Sequence, residues 1–119
     1  MKAYAIFGLA SMIVLATQAH SSGFYKGVRL LSYCTVVPDE LVRDYFFTSC
    51  RAYISAIADA ISCTHGVGGF TANFPEGTSD EQLEGIVIKW LKAHPDKLNF
   101  AASGLVAAAF EETFPCPKP

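Results

Sequence analysis

The sequence predicts an all-α protein, a small bundle of about four helices held together by disulfide bonds. Three observations support this fold class. Apolar residues recur every three or four positions along most of the chain, which is the spacing of one face of an α-helix. No stretch alternates apolar and polar residues for long, so no β-sheet is expected. Four cysteines occur in only 119 residues, behind a segment typical of exported proteins.

The start of the chain has the three parts of a secretory signal peptide. One basic residue comes first, residues 3–16 form an uncharged apolar run, and small residues precede a cleavage position after Ala19. The apolar run is shorter than the roughly 20 residues that a membrane-spanning helix needs. Nothing later in the sequence is apolar and long enough to span a membrane. We expect residues 1–19 to be removed and residues 20–119 to form one domain outside the cytoplasm.

Two helices are predicted in the first half of the domain. A short first helix carries three apolar residues on one face: Phe24, Val28 and Leu31. A long second helix begins near Pro38, which suits a first helical turn, and Asp39 and Glu40 favour the positive end of the helix dipole. Its buried face is predicted to contain Val42, Phe46, Cys50, Tyr53, Ile57 and Ile61, widened by Leu41, Tyr45, Ile54 and Ala58. Three glycines within residues 66–69 are expected to end it.

Two further helices follow a loop at residues 66–78. The third helix is predicted to begin with a capping box, in which Thr78 is the cap and Glu81 reaches back to it, and to stop at His94 before a proline. Its predicted buried face consists of Leu83, Ile86, Val87, Trp90 and Leu91. The fourth helix is predicted over residues 99–113. Four of its residues share one register: Ala101, Leu105, Ala108 and Glu112.

The four cysteines, Cys34, Cys50, Cys63 and Cys116, are predicted to form two disulfides in an oxidising compartment. Cys50 and Cys63 are expected on one helix, about 20 Å apart at its rise per residue, which is too far for a bond. Two pairings remain, Cys34–Cys50 with Cys63–Cys116 or Cys34–Cys63 with Cys50–Cys116. The first is preferred because it closes a local loop and ties the C-terminal tail to the end of the second helix. Each bond is expected to stabilise the domain by about 2–4 kcal/mol.

The sequence predicts no catalytic set, no metal site and no cofactor. The histidines of the domain are His20, His65 and His94, and the cysteines that could act with them as nucleophiles are assigned to disulfides. His65 lacks further metal ligands at suitable spacing. The glycines at 66–69 precede no Lys-Ser or Lys-Thr pair, so they do not form a phosphate-binding loop. The formal net charge of −2 argues against a nucleic-acid partner.

An acidic stretch lies between Arg51 and Lys89. It contains no lysine or arginine but five carboxylates: Asp59, Glu76, Asp80, Glu81 and Glu84. Two interpretations remain open, because carboxylates stabilise the start of a helix and an acidic surface also attracts a basic partner. Phe70 and Phe74, in the preceding loop, are expected either to fold back onto the core or to contact a partner. Long loops in compact domains often carry function.

Several stretches together resemble the Tai/Rap immunity proteins, which neutralise amidase effectors of type VI secretion systems. Residues 50–61, CRAYISAIADAI, resemble the Cys-x-x-Tyr-Ile-x-Gly-x-x-Asp-Ala helix of that family. Residues 74–116 resemble the remainder, namely a Pro-x-Gly turn, a helix, a His-Pro pair, an alanine-rich helix and a final Phe-Pro-Cys. The similarity covers nearly all of residues 20–119, and the order and spacing of the motifs are more specific than any one of them.

Two positions depart from the family pattern. The glycine that follows Tyr-Ile is replaced by Ala56, and the cysteine two residues before the loop proline is replaced by Asn73. The resemblance implies that Cys63 takes the place of that cysteine as the partner of Cys116, in line with the preferred pairing.

The resemblance implies an inhibitor without catalytic activity. Family members are small helical periplasmic proteins, commonly dimers, which bind a papain-like peptidoglycan amidase and occlude its Cys-His cleft, partly with a protruding loop. Carried over by position, that loop is residues 66–78, with Glu76 and Asp80 as polar contacts. Together with Phe70 and Phe74, these two residues form the predicted partner-binding set.

The leading hypothesis is therefore a periplasmic immunity protein whose partner is a peptidoglycan amidase. One alternative is a structural or adaptor protein of the cell envelope on the same scaffold. Another is a carrier of small apolar ligands, because helical bundles can open cavities between their helices. A hydrolase has the least support. A neighbouring gene for a secreted Cys-His amidase would favour the inhibitor, and copurifying lipid would favour the carrier.

Overall fold

The computed structural model describes residues 23–36 and 39–119, and both the predicted leader and Pro38 lie outside the described residues. Four α-helices follow one another: α1 (Gly27–Thr35), α2 (Glu40–Ala60), α3 (Asp80–Ala93) and α4 (Ala102–Thr113), with a short 3-10 helix, Pro95–Lys97, before α4. Within the described ranges the β-type pairings are two isolated bridges, Lys26 with Ala101 and Val67 with Phe70. The predicted all-α fold class is confirmed. No described helix combines the length and apolar character that crossing a membrane requires.

All four helices contribute to one core. The largest fully buried side chains are Phe110, Leu30, Ile54, Leu91, Val87, Val106 and Cys50. Three alanines of α4, Ala102, Ala107 and Ala109, are also fully buried. Because alanine side chains are short, neighbouring elements can pack closely against α4, which is the most deeply buried helix.

The register predicted for α4 is wrong in part. Leu105 is buried as expected, but Ala101 and Ala108 are only half-buried and Glu112 is exposed. The helix also begins at Ala102, three residues later than predicted, because the preceding backbone bonds to the start of α1. Alanine occurs on several sides of α4, so its apolar period is too weak to identify the buried face.

The predicted face of α1 is wrong in part, because Leu31 is half-buried and packs on the core but the other two residues are exposed. Phe24 is 97% exposed and Val28 is 58% exposed, whereas Leu30 is fully buried. The face is fixed by Gly27, because a Cβ atom there would lie 2.4 Å from Leu105 Cδ1. The Leu98 backbone also lies 3.2 Å from that Cβ position, so glycine favours the close approach, and Leu30 and Cys34, in register with Gly27, are buried.

α2 begins at Glu40, later than the predicted start near Pro38, and its buried face is shorter than predicted. Asp39 caps the helix by accepting a hydrogen bond from the backbone N–H of Leu41 at 3.3 Å. The second half of the predicted face is buried or half-buried, while Leu41 is 91% exposed and Tyr45 is 63% exposed. Tyr25 stacks on Tyr53, and the end of α1 reaches α2 at Cys50 and, through the Tyr33 ring, at Tyr45 and Phe46. The nine-residue α1 therefore leaves the first turn of the 21-residue α2 uncovered by described residues.

The glycines at 66–69 do not end α2. The helix stops at Ala60, and the Ser62 hydroxyl accepts hydrogen bonds from the backbone N–H groups of Thr64 and His65 at 3.2 and 3.0 Å. Such a side-chain bond offers the backbone an alternative to the helix, which explains the earlier end. The glycines instead form a tight turn in which Val67 and Phe70 exchange two backbone hydrogen bonds.

The capping box of α3 lies one residue later than predicted. Ser79, not Thr78, is the cap: its hydroxyl accepts from the N–H of Gln82 at 3.2 Å, and the Gln82 side chain accepts from the N–H of Ser79 at 2.9 Å. Thr78 instead donates its hydroxyl to the Pro75 carbonyl. Thr78 with Glu81 and Ser79 with Gln82 both fit the capping pattern. Because the Thr78 hydroxyl is bonded to Pro75 in the preceding turn, Ser79 caps the helix. The rest of the prediction is confirmed, since Leu83, Val87 and Leu91 are buried, Ile86 and Trp90 are half-buried, and the helix ends before His94.

Both disulfides follow the preferred pairing. Cys34 bonds to Cys50 with a Cα–Cα distance of 5.1 Å, and Cys63 bonds to Cys116 with a distance of 5.7 Å. The expectation that Cys50 and Cys63 share one helix is wrong, because Cys63 lies beyond the end of α2.

Candidate functional site

The loop between α2 and α3, residues 61–79, carries three of the four predicted partner-binding residues. Its middle is fixed to the end of α4: the backbone N–H of Thr71 donates to Glu111 Oε2 at 2.8 Å. Two residues later, the N–H of Asn73 donates to the Phe114 carbonyl at 2.9 Å. Between these bonds Ala72 is almost fully buried. The loop is therefore attached to the core along its length.

The C-terminal tail supports this loop from one side. Cys116 bonds to Cys63 at the start of the loop, and Phe114 accepts the hydrogen bond from Asn73 further along. The tail and the loop thus run beside each other, joined by one covalent and one hydrogen bond. This arrangement explains why a cysteine lies so near the end of the chain.

Phe70 and Phe74 are folded back toward the core. The Phe74 ring packs edge-on against Phe110, with centroids 5.0 Å apart, and against Phe114 at 5.4 Å. Phe70 is half-buried and packs on the core beside the tight glycine turn. Of the two positions considered for these rings, the structure shows the folded-back one. Whether the exposed part of either ring also contacts a partner stays a prediction.

Glu76 lies at the tip of a second tight turn, Pro75–Thr78. The N–H of Thr78 donates to the Pro75 carbonyl at 3.2 Å, and its hydroxyl donates to the same oxygen at 2.7 Å. Gly77, the third residue of the turn, has a φ of +83°, a left-handed conformation that glycine adopts without strain. Glu76 is exposed, and no hydrogen bond or ion pair to it occurs among the described residues. The turn thus presents a free carboxylate on a fixed backbone.

The other acidic residues near the turn have partners within the fold. Asp80 accepts a hydrogen bond from the Ser55 hydroxyl at 3.1 Å. Arg51 donates to Glu84 at 2.8 Å and to Glu81 at 3.2 Å. The hydrogen bond from Arg51 to Glu84 raises the pKa of the guanidinium above its usual value. Ion pairing therefore occupies Glu81 and Glu84, whereas Glu76 has no partner among the described residues.

A shallow depression of ≈ 560 Å³ lies beside the turn. Glu76 and Glu81 line it together with Gly85, Lys89 and Phe114. Asp80 is not among its lining residues, so the structure does not bring the two predicted polar contacts into one depression. Gln82 and Gly85, which the sequence did not single out, lie there instead because they share the exposed side of α3.

A second depression, an open groove of ≈ 1260 Å³, runs along α4 and was not predicted from the sequence. Trp90 and His94 of α3 form part of its wall, with their rings stacked 3.8 Å apart. Trp90 Nε1 donates to Glu112 Oε2 at 2.6 Å, and both residues line the groove. We refer to this feature as the α4 groove. In the described part of the chain, no group of three or more metal-ligating side chains occurs in this groove or elsewhere.

Comparison with known proteins agrees with the resemblance found in the motifs. The chain matches the family model of the Rap1a immunity proteins over residues 26–116. This range contains all four helices, both disulfides and the Pro75–Thr78 turn. A comparison with curated proteins gave no match. The protein therefore belongs to the Rap1a immunity family, and as an immunity protein it has a secreted toxin as its partner.

Proposed function

We propose that this protein acts in the periplasm, where it binds a peptidoglycan amidase delivered by a type VI secretion system and occludes its active-site cleft. The Rap1a family match supports a toxin as the partner. Two disulfides favour an oxidising compartment, because such bonds persist there and are rare in the cytosol. The observation that carries the binding part is the Pro75–Thr78 turn with its exposed carboxylate.

The turn suits a protruding inhibitor because it is ordered before it binds. The hydrogen bond from Asn73 to Phe114 holds it on one side, and the capping box at Ser79 holds it on the other. A segment that is already fixed loses little conformational entropy on binding, so more of its contact energy contributes to affinity. The turn blocks the cleft sterically, while the Glu76 carboxylate attracts cationic groups at the cleft entrance. This inhibition requires no catalytic step from the chain.

Charge reversal at the tip tests this role. We expect Glu76→Lys to weaken binding to the amidase encoded by the neighbouring reading frame by about tenfold or more, as measured by isothermal titration calorimetry. Asp59→Lys is the matched control, because Asp59 is also exposed and its replacement changes the net charge equally. In a lysis assay with the amidase directed to the periplasm, the Asp59→Lys variant should protect the cells and the Glu76→Lys variant should protect them less. Equal affinities for the two variants would exclude Glu76 from the interface, and failure of the wild-type protein to bind would refute the proposed function.

The proposal includes removal of residues 1–19 on export. The intact mass of the protein purified from the periplasm should correspond to a chain that begins at His20. A mass that retains the leader, or recovery of the protein from the cytoplasm with reduced thiols, would contradict the proposed location.

We also propose that two copies pair through the uncovered start of α2. Four apolar residues around it are exposed: Val36, Leu41, Val42 and Tyr45. The Tyr45 ring lies against Phe46 at 5.7 Å and Tyr33 at 6.5 Å, so the patch continues into an aromatic cluster. Exposed apolar patches of this kind mark association surfaces. Sedimentation velocity should show that the wild-type protein is a dimer and that the Leu41→Glu variant is a monomer. The control variant Ala56→Glu, at an exposed site further along α2, should remain a dimer. A wild-type monomer would rule out this pairing.

A further inference from the structure

We propose that the α4 groove is a second contact site, which binds an extended segment of the toxin with an acidic side chain at one end and a basic side chain at the other. This inference rests on the proposed function, because the segment belongs to the same toxin. The groove shares no lining residue with the depression beside the Pro75–Thr78 turn, so the two sites can be altered separately.

The shape of the groove suits an extended backbone. Small residues line the groove along α4: Ala101, which precedes the helix, and Gly104 and Ala108 within the helix. The neighbouring loop also approaches closely here, because a Cβ atom on Gly68 would lie 3.0 Å from the Gly104 Cα. Aromatic side chains form the walls, and one of them, Phe100, is 57% exposed. The small residues let a bound backbone come close, while aromatic walls provide apolar contact area.

The two ends of the groove carry opposite charges. Lys26 and Lys97 line the end where α4 begins, and Glu111 and Glu112 line the end where it finishes. At 1.5 Å per residue, these ends are about 16 Å apart. An extended segment of about five residues spans that length, since each residue of a strand advances by roughly 3.3 Å. The spacing thus fixes the approximate separation of the two charges on the occupant.

The charges remain available to a partner. Glu112 accepts from Trp90 and Glu111 from Thr71, and both donors are neutral. Neither carboxylate forms an ion pair with a described residue, and the same holds for Lys26 and Lys97. The carboxylates are therefore held in position without being neutralised.

The arrangement also opposes the dipole of α4. A helix favours cations at its C-terminal end, but the last turn of α4 contains Glu111 and Glu112 and no basic residue. The lysines at the other end of the groove come from residues outside α4. A bound segment that places its base near the glutamates offsets the unfavourable interaction at the C-terminal end.

A size series at Gly104 tests the groove. A Cβ atom at Gly104 meets nothing within 4 Å, so Gly104→Ala enters open space, and the larger side chains of Gly104→Leu and Gly104→Phe extend from that position into the groove that Gly104 lines. All three should fold, because each replaces glycine inside a helix by a residue with higher helix propensity. The alanine variant is the matched control. It should bind the amidase within about twofold of wild type, whereas the leucine and phenylalanine variants should bind about tenfold or more weakly.

Charge removal is the second arm of the experiment. Glu112→Gln keeps an oxygen that can accept the hydrogen bond from Trp90, and Lys97→Gln removes a cation at the other end. Each should lower affinity by about threefold to tenfold, mainly through slower association at low salt. Asp59→Asn and Lys92→Gln, at exposed positions outside the groove, should have no effect.

The outcomes separate the two proposals. If Glu76→Lys weakens binding but Gly104→Leu binds like wild type, the groove proposal is overturned and the turn remains the site. If Gly104→Leu changes the mass of the free protein in solution instead of its toxin affinity, the occupant is a second copy of the chain and the proposal is again overturned. If the wild-type protein does not bind the amidase, both proposals fail.

Discussion

Removal of the Cys63–Cys116 disulfide should destabilise the domain mainly by freeing the unfolded chain. The bond joins residues 53 positions apart, whereas Cys34–Cys50 joins residues 16 positions apart. The loop-closure relation converts these separations into about 4.2 and about 3.1 kcal/mol at 25 °C. We therefore expect the double variant Cys63→Ser/Cys116→Ser to lower the free energy of unfolding by about 4 kcal/mol.

The Cys63–Cys116 disulfide gives the cleaner test of the loop-closure argument, because it is less buried than Cys34–Cys50. Cys63 is exposed and Cys116 is half-buried, so their replacement by serine removes little packing. Cys34 and Cys50 are 6% and 0% exposed, and their removal adds a loss of core contacts to the entropic effect. The Cys34→Ala/Cys50→Ala variant should thus lose more than the roughly 3 kcal/mol that its loop length gives.

Urea denaturation followed by tryptophan fluorescence provides the measurement, because the chain contains a single tryptophan, half-buried Trp90. For a domain of about this size, a loss of 4 kcal/mol also lowers the midpoint of thermal unfolding by roughly 15–30 °C. A loss below about 2 kcal/mol for the tail variant would refute the reasoning, since the unfolded chain would then already be restricted without the bond. A large loss with changed near-UV circular dichroism of the folded variant would indicate an effect on the native state instead.

Two further predictions concern local structure. Ser79→Ala should lower the free energy of unfolding by about 1 kcal/mol, because it removes the acceptor for the Gln82 N–H. Ser79→Thr keeps a hydroxyl and should lower the free energy of unfolding much less. Equal losses for the two variants would show that the cap is not what stabilises α3. Gly27→Ala should destabilise the domain by about 1–3 kcal/mol through the clash with Leu105, while Gly85→Ala, in open space, should stabilise it by about 0.8–1.0 kcal/mol. Urea midpoints of the two glycine variants that move in the same direction would contradict the packing argument.

The sequence was sufficient to predict features that depend on local chemistry or on strong periodicity. The order of the four helices and the buried face of α3 follow from such signals. Two of the errors have one physical cause in common, which is contact between distant parts of the chain. The inward face of α1 depends on Gly27 fitting against Leu105, and the start of α4 depends on backbone bonds to residues 25–27. Neither contact leaves a mark on the local pattern.

For the candidate sites, too, local features could be predicted from the sequence and contacts between distant residues could not. The Pro-Glu-Gly-Thr sequence indicates a turn with an exposed acid, and the structure contains that turn with Glu76 at its tip. The α4 groove could not be predicted, because its lining residues come from the start of α1, the loop, the end of α3 and α4. In the sequence, Trp90 is indistinguishable from a core residue and Glu112 from a solvated helix position. Only the fold brings them within hydrogen-bond distance.

The C-terminal tail connects the two sites, and this accounts for its composition. Three consecutive residues have three different contacts: Phe114 lines the depression beside the turn, Pro115 lines the α4 groove, and Cys116 bonds to Cys63. A displaced tail would therefore alter both surfaces together. The disulfide prevents this displacement at the point where the chain would otherwise be free to fray. Since a partner that contacts both sites depends on their relative position, the bond that stabilises the fold also preserves the geometry on which the proposed binding depends.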